Sequence, residues 1–159
     1  MKAINKMRLT VSAKSINESF CRSVVGAFAS QINPTIDEVN DIKTAVSEAV
    51  TNCVVHAYGG KGIGEITIEA ILYENAIEVS ILDNGVGIAD VEKAMQPFYT
   101  TKPGEERSGM GFTVMQSFMD SMRVEKNKGK GIVVHLAKVV GIKQGKEQRE
   151  DCEKLVIGG

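Results

Sequence analysis

The chain has 159 residues, 43% of them hydrophobic and 25% charged, which is enough apolar mass for one globular domain with a full core and excludes a disordered or fibrous chain. Nineteen Lys and Arg against twenty Asp and Glu leave a net charge of -1, so no basic excess marks nucleic acid or an anionic membrane as a direct partner. No apolar run approaches the roughly 18 to 20 residues of a membrane helix, and Met1 to Arg8 lacks a signal-peptide core, so the expected location is the cytoplasm.

Arg8 to Ser12 alternate polar and apolar, which predicts a first strand over 6–13. Ser15-Ile16-Asn17-Glu18 has the spacing of a capping box. Phe20, Val24, Ala27, Phe28 and Ile32 then recur at helical spacing, predicting a helix that ends near Asn33-Pro34. A second box, Thr35-Ile36-Asp37-Glu38, opens a helix striped by Val39, Ile42, Val46, Ala49, Val50 and Cys53 and running to about His56. The glycine-rich stretch from Gly59 to Gly64 reads as a loop. Ile66, Ile68, Ala70 and Leu72, then Ile77, Val79 and Ile81, alternate on either side of Glu74-Asn75, predicting an antiparallel hairpin.

Beyond it, Asp83 to Gly87 reads as loop, Asp90 to Met95 as a short helix, and Pro97 to Ser108 as a lid-like segment without periodicity. Gly109 to Met122 reads as a helix, Arg123 to Lys126 as a strand, Asn127 to Gly131 as a turn and Ile132 to Val139 as the last strand. This order predicts an α+β fold, a two-layer sandwich with a mixed, mainly antiparallel sheet and its helices on one face. Residues 1–141 form the expected domain, and 142–159 a charged tail of flexible character. Cys21, Cys53 and Cys152 lack CxxC spacing or clustered histidines, so they read as two buried thiols and one in the tail. His56 reads as a capping or packing residue and His135 as an outward strand position.

Three clusters carry chemistry. Glu48 and Asn52 stand one helical turn apart, so both can act on one ligand, the carboxamide oxygen on a hard cation such as Mg2+ and the carboxylate on a hydroxyl; the same pair also suits a solvated helix face. Asp83-Asn84-Gly85-Val86-Gly87 fixes one carboxylate at a strand end, where it can accept an exocyclic amine beside glycines that admit a flat base, or else is an ordinary turn. Ser108-Gly109-Met110-Gly111-Phe112 opens a helix whose free N–H groups can cradle phosphate, with Thr101, Lys102 and Arg107 before it; alone, it also reads as a glycine-rich surface turn. Neither a P-loop nor a dinucleotide-binding glycine motif occurs, and the joint order of the three clusters favours a nucleotide site of another kind.

In that order the chain resembles the superfamily of gyrase, Hsp90, histidine kinase and MutL ATP-binding domains. Ser47 to Asn52 looks like its N box, Asp83 to Gly87 its first glycine box and Ser108 to Phe112 its second. Within it, SEAVTN, the segment TTKP with ERSGMGF, and SINESFCR resemble the anti-sigma F factors, serine protein kinases of spore-forming bacteria; the resemblance spans roughly residues 7 to 139.

The resemblance implies an ATP- or ADP-bound anti-sigma kinase with Mg2+ on Asn52, Glu48 as catalytic base and Asp83 on the adenine amino group. Gly85, Gly87, Gly109, Gly111 and Phe112 would shape the pocket, with Thr101, Lys102, Arg107, Ser108 and Met110 about the phosphates. It further implies a homodimer that binds a sporulation sigma factor of RNA polymerase through Arg22 and Arg107 and phosphorylates a serine of its anti-anti-sigma antagonist. Rival readings are a stress-response anti-sigma kinase, a nucleotide-gated sigma-binding protein without catalysis, and a free-standing histidine kinase domain. Two positions depart from the family pattern: Ala57 stands where a glycine is common, and Ile132 where a threonine would bring a hydroxyl near adenine.

Overall fold

The computed structural model describes residues 1–86 and 111–141. The expected short helix at 90–95, the lid segment, Cys152 and the tail lie outside the described residues. So do Gly87, Thr101, Lys102, Arg107, Ser108, Gly109 and Met110.

Five strands form one sheet: β1 (Asn5–Ser12), β2 (Glu65–Tyr73), β3 (Ala76–Asp83), β4 (Ser121–Lys126) and β5 (Ile132–Val139), in the order β1-β2-β3-β5-β4. All four pairings are antiparallel, so among the described residues the sheet is purely antiparallel rather than mixed. Among the described residues three α-helices pack on it: α1 (Asn17–Ala29), α2 (Ile36–Asn52) and α3 (Gly111–Phe118). The α+β two-layer architecture is the one expected.

The β2–β3 hairpin closes on Glu74-Asn75 with Tyr73 opposite Ala76, a two-residue loop that sets the register of the central strands. In that register Ile68 faces Ile81 and Ala70 faces Val79, and each pair sends its side chains into the layer beneath the helices. Ile42, Val46, Ala49 and Val50 of α2 meet them there, all at 0–1% exposure. The Thr35 box forms as expected: the hydroxyl accepts from Glu38 N–H and the Glu38 carboxylate accepts from Thr35 N–H.

The Ser15 box does not form. Helix α1 starts at Asn17, which puts the apolar Ile16 at the cap position, and Glu18 N–H goes to the Ser15 backbone carbonyl while the Glu18 carboxylate is taken by Arg22 and by the Ser47 hydroxyl on α2. Of the expected stripe of α1, Phe28 and Ile32 are buried, but Phe20 is 50% exposed and Ala27 is exposed, and Cys21 and Val25 are buried in their stead. The last helix stops at Phe118, not at Met122. Lys138 Nζ donates to the Phe118 carbonyl, and Asp120 N–H goes to the Ala137 carbonyl, so Ser121 and Met122 join β4 instead. His135 projects from β5 as expected, its ring nitrogens bonded to Ser80 Oγ and to Glu125.

Candidate functional site

Asp83 is the last residue of β3, the central strand, and its carboxylate is only 1% exposed. Burying a carboxylate is costly unless donors surround it. Oδ1 accepts from the N–H of Gly85 at 2.9 Å and of Ile132 at 3.3 Å, and Oδ2 accepts from the Cys53 thiol at 3.6 Å. Loss of water raises the carboxyl pKa above its ordinary value, and the two backbone bonds and the thiol partly offset that rise. The same burial, reinforced by the Asp83 charge, pushes the Cys53 thiol well above its usual range, so it stays a protonated donor.

The turn after Asp83 is clamped from three sides. Helix α2 ends at Asn52 and widens into a π turn over Cys53–Ala57, a local change of winding that is common at functional sites. This turn aims the Ala57 carbonyl at Val86 N–H, 3.1 Å away. Tyr58 follows: its hydroxyl accepts from Asn84 N–H at 2.8 Å and donates to the Glu65 carbonyl at 2.7 Å. From the other side, Asn127 in the β4–β5 turn donates to the Asp83 carbonyl and to Asn84 Oδ1. A Cβ on Gly85 would lie 2.3 Å from the Ala57 carbonyl oxygen, and one on Gly131 2.1 Å from the Asp83 carbonyl oxygen, so both approaches require glycine.

Glu48 and Asn52 are half-buried one turn apart on α2. The opening residue of α3 lies directly on the Asn52 side chain: a Cβ on Gly111 would stand 2.9 Å from Nδ2 and 3.1 Å from Oδ1. Phe112 is buried in the main core, which leaves its backbone rather than its ring for any ligand. The three clusters therefore meet. Asn52 touches Gly111, and its neighbour Cys53 touches Asp83.

Arg22 bonds Glu18 at 3.2 Å, and Glu18 also takes the Ser47 hydroxyl, so this half-exposed arginine is tied to α2 one residue before Glu48. Cys53, Tyr58 and Asn127 were not singled out for the site from the sequence. Cys53 reads there as core and Asn127 as a turn; Tyr58 shows no periodic signal at all. Ile132 supplies its backbone N–H to Asp83, a contact that does not depend on the hydroxyl it lacks.

Fold and sequence together define the class. Residues 11–138 match the family described as histidine kinase-like ATPase domain. Among solved structures, the catalytic domain of the histidine kinase ThkA superposes with a TM-score of 0.54 at 18% identity, covering 86% of this chain and 97% of that one. A structure of the RsbU and RsbW domains of a Mycobacterium tuberculosis protein gives 0.63 at 18% identity over 87% of this chain and 33% of that one. At such identity the likeness concerns the fold.

Sequence relatives are nearer. The anti-sigma F factor of Caldanaerobacter subterraneus subsp. tengcongensis is 59% identical over 137 residues, 86% of this chain and 95% of the relative. That of Clostridium acetobutylicum is 52% identical over 84% of this chain and 93% of its own length, and that of Geobacillus stearothermophilus 49% over 88% and 96%. The chain belongs to the anti-sigma F factor family of histidine kinase-like ATPase domains.

Proposed function

We propose that this protein is an anti-sigma factor that binds a sporulation sigma factor and uses MgATP to phosphorylate a serine of its anti-anti-sigma antagonist. The convergence of Asp83, Cys53, Asn52 and Gly111 carries this reading, because the carboxylate proposed to read the base, the side chain proposed to hold the cation and the opening residue of α3 lie side by side. Asp83 receives the adenine amino group, and Gly85 keeps backbone close to the base plane. Asn52 fits Mg2+, which takes one or two protein oxygens and completes its shell with water and phosphate oxygens. Bound there, the ion would neutralise charge on the phosphates during transfer.

Glu48 orients the attacking serine hydroxyl and accepts its proton, a role that needs little more than positioning. Thr101, Lys102, Arg107, Ser108, Gly109 and Met110, with Gly87, complete the phosphate and base contacts in this proposal. Arg22 and Arg107 meet the sigma factor, and residues 1–141 suffice for all of it. The protein works in the cytoplasm and as a homodimer, the latter supported by β1, which among the described residues is an edge strand of the sheet. Among the described residues no helix is long and apolar enough to cross a membrane.

The test mixes the purified chain, labelled MgATP and an anti-anti-sigma protein of the same genome. Acid-stable phosphate on a serine of the acceptor is expected, lost in Glu48→Gln with ATP binding retained. ATP binding without transfer by the native chain would sink the kinase reading and leave a nucleotide-gated binding protein. Acid-labile phosphate on the acceptor would indicate histidine transfer instead.

A further inference from the structure

An ionised carboxylate offers about four in-plane lone-pair positions, two on each oxygen. On Asp83, both positions of Oδ1 are occupied, by Gly85 N–H at 2.9 Å and Ile132 N–H at 3.3 Å. On Oδ2 one position is occupied, by the Cys53 thiol at 3.6 Å. Among the described residues this leaves a single position for a ligand. The thiol cannot leave this arrangement easily: Cys53 is 2% exposed, lies on the π turn and is surrounded by the main core.

We propose that Cys53 is a positioning residue that fills one lone pair of Asp83 Oδ2 and thereby aims the other at the base, setting a preference for a 6-aminopurine over a 6-oxopurine nucleotide. The inference rests on the reading of Asp83 as the base-recognition group. It adds that the base meets Oδ2 and not Oδ1, and that a side chain which reads as core packing in the sequence sets the angle of approach. A 6-amino group donates to the free lone pair, whereas a 6-oxo group would bring acceptor against acceptor. With no thiol donor, Oδ2 has two equivalent positions, the carboxylate can rotate or admit water, and the amino group loses its aligned partner.

The geometry also fixes what an amide would do. In Asp83→Asn the two backbone N–H groups at Oδ1 demand the carbonyl oxygen there, so the NH2 group must take the Oδ2 place. It would then oppose a 6-amino group and welcome a 6-oxo one.

Calorimetric titration of the full chain with ATP and with ITP separates these statements. Wild type should prefer ATP. In Cys53→Ala, and in Cys53→Val, which fills the volume without a donor, the ATP-to-ITP affinity ratio should fall about threefold to tenfold, the effect of one weak hydrogen bond to a charged acceptor. Cys53→Ser restores a donor and should keep the ratio within about twofold of wild type. Asp83→Asn should invert the preference toward ITP. Loss of packing alone would weaken both nucleotides equally and leave the ratio where it was. An unchanged ratio in the Ala and Val variants beside an inverted one in Asp83→Asn overturns the role of Cys53 alone. An unchanged ratio in Asp83→Asn as well overturns the base reading and the inference with it.

Discussion

Asp83 shows what burial does to one group and how pH reports it. Desolvation raises its carboxyl pKa in the folded protein, so between the ordinary carboxylate value and the raised one the folded state binds more protons than the unfolded. Its contribution to stability is therefore largest below the ordinary value and declines as pH rises through the folded one. Asp83→Asn removes that titration. Urea unfolding across pH 4 to 7 should show the variant gaining on wild type as pH rises, and a constant difference would mean that the carboxyl is not raised. ATP binding should run the other way, weakening as acid protonates Asp83 and removes the acceptor for the amino group. At Gly85, a methyl group would meet the Ala57 carbonyl at 2.3 Å. Gly85→Ala should cost about 1–3 kcal/mol, as overpacking does, and reduce nucleotide affinity together with stability.

At the scale of elements, the tie from Tyr58 to the strand end couples α2 to β3. Tyr58→Phe keeps the ring against Gly64 and deletes only the hydroxyl, orphaning Asn84 N–H and the Glu65 carbonyl. A loss of about 1–2 kcal/mol in urea unfolding is expected, with weaker ATP binding because the turn that carries Asp83 loses a support. Unchanged affinity would show the turn to be held by Ala57 and Asn127 alone. Lys138 is a comparable fastener. It is 4% exposed, donates to the Phe118 carbonyl at the end of α3 and pairs with Asp41 on α2 at 3.4 Å. Lys138→Met should cost about 1–3 kcal/mol by leaving a carbonyl and a half-buried carboxylate unpaired. Stability equal to wild type would mean that the methionine's packing offsets those bonds, as it can for buried ion pairs.

For the whole molecule, the end of the described chain is itself tied down. Gly141 N–H donates to both oxygens of Glu38, the residue that also closes the cap of α2. The end of the described chain is thus joined to the start of α2, and β5 lies inside the sheet between β3 and β4. A chain ended after Gly141 should unfold with the same cooperativity as the full chain and bind ATP with the same affinity. A loss of more than about 1 kcal/mol, large beside the few tenths usual for a change in an exposed terminus, would show that 142–159 belong to the domain.

Much of this protein could be read directly from its residues, because local physics decides those parts. Alternation marked β1, β2 and β3, the Thr35 box and the α2 stripe marked the helix that holds Glu48 and Asn52, and the order of three short motifs pointed to their class. Tertiary contacts decided the rest. The Ser15 box failed because Ile16 takes the cap position and the Glu18 carboxylate turns to Arg22 and to Ser47 on α2, and α3 stopped at Phe118 because Lys138 and Ala137 take over its end. No spacing in the sequence relates Cys53, Tyr58 or Asn127 to Asp83. They lie 30, 25 and 44 residues from it and meet it, or its turn, only when the π turn and the β4–β5 hairpin close around the end of β3.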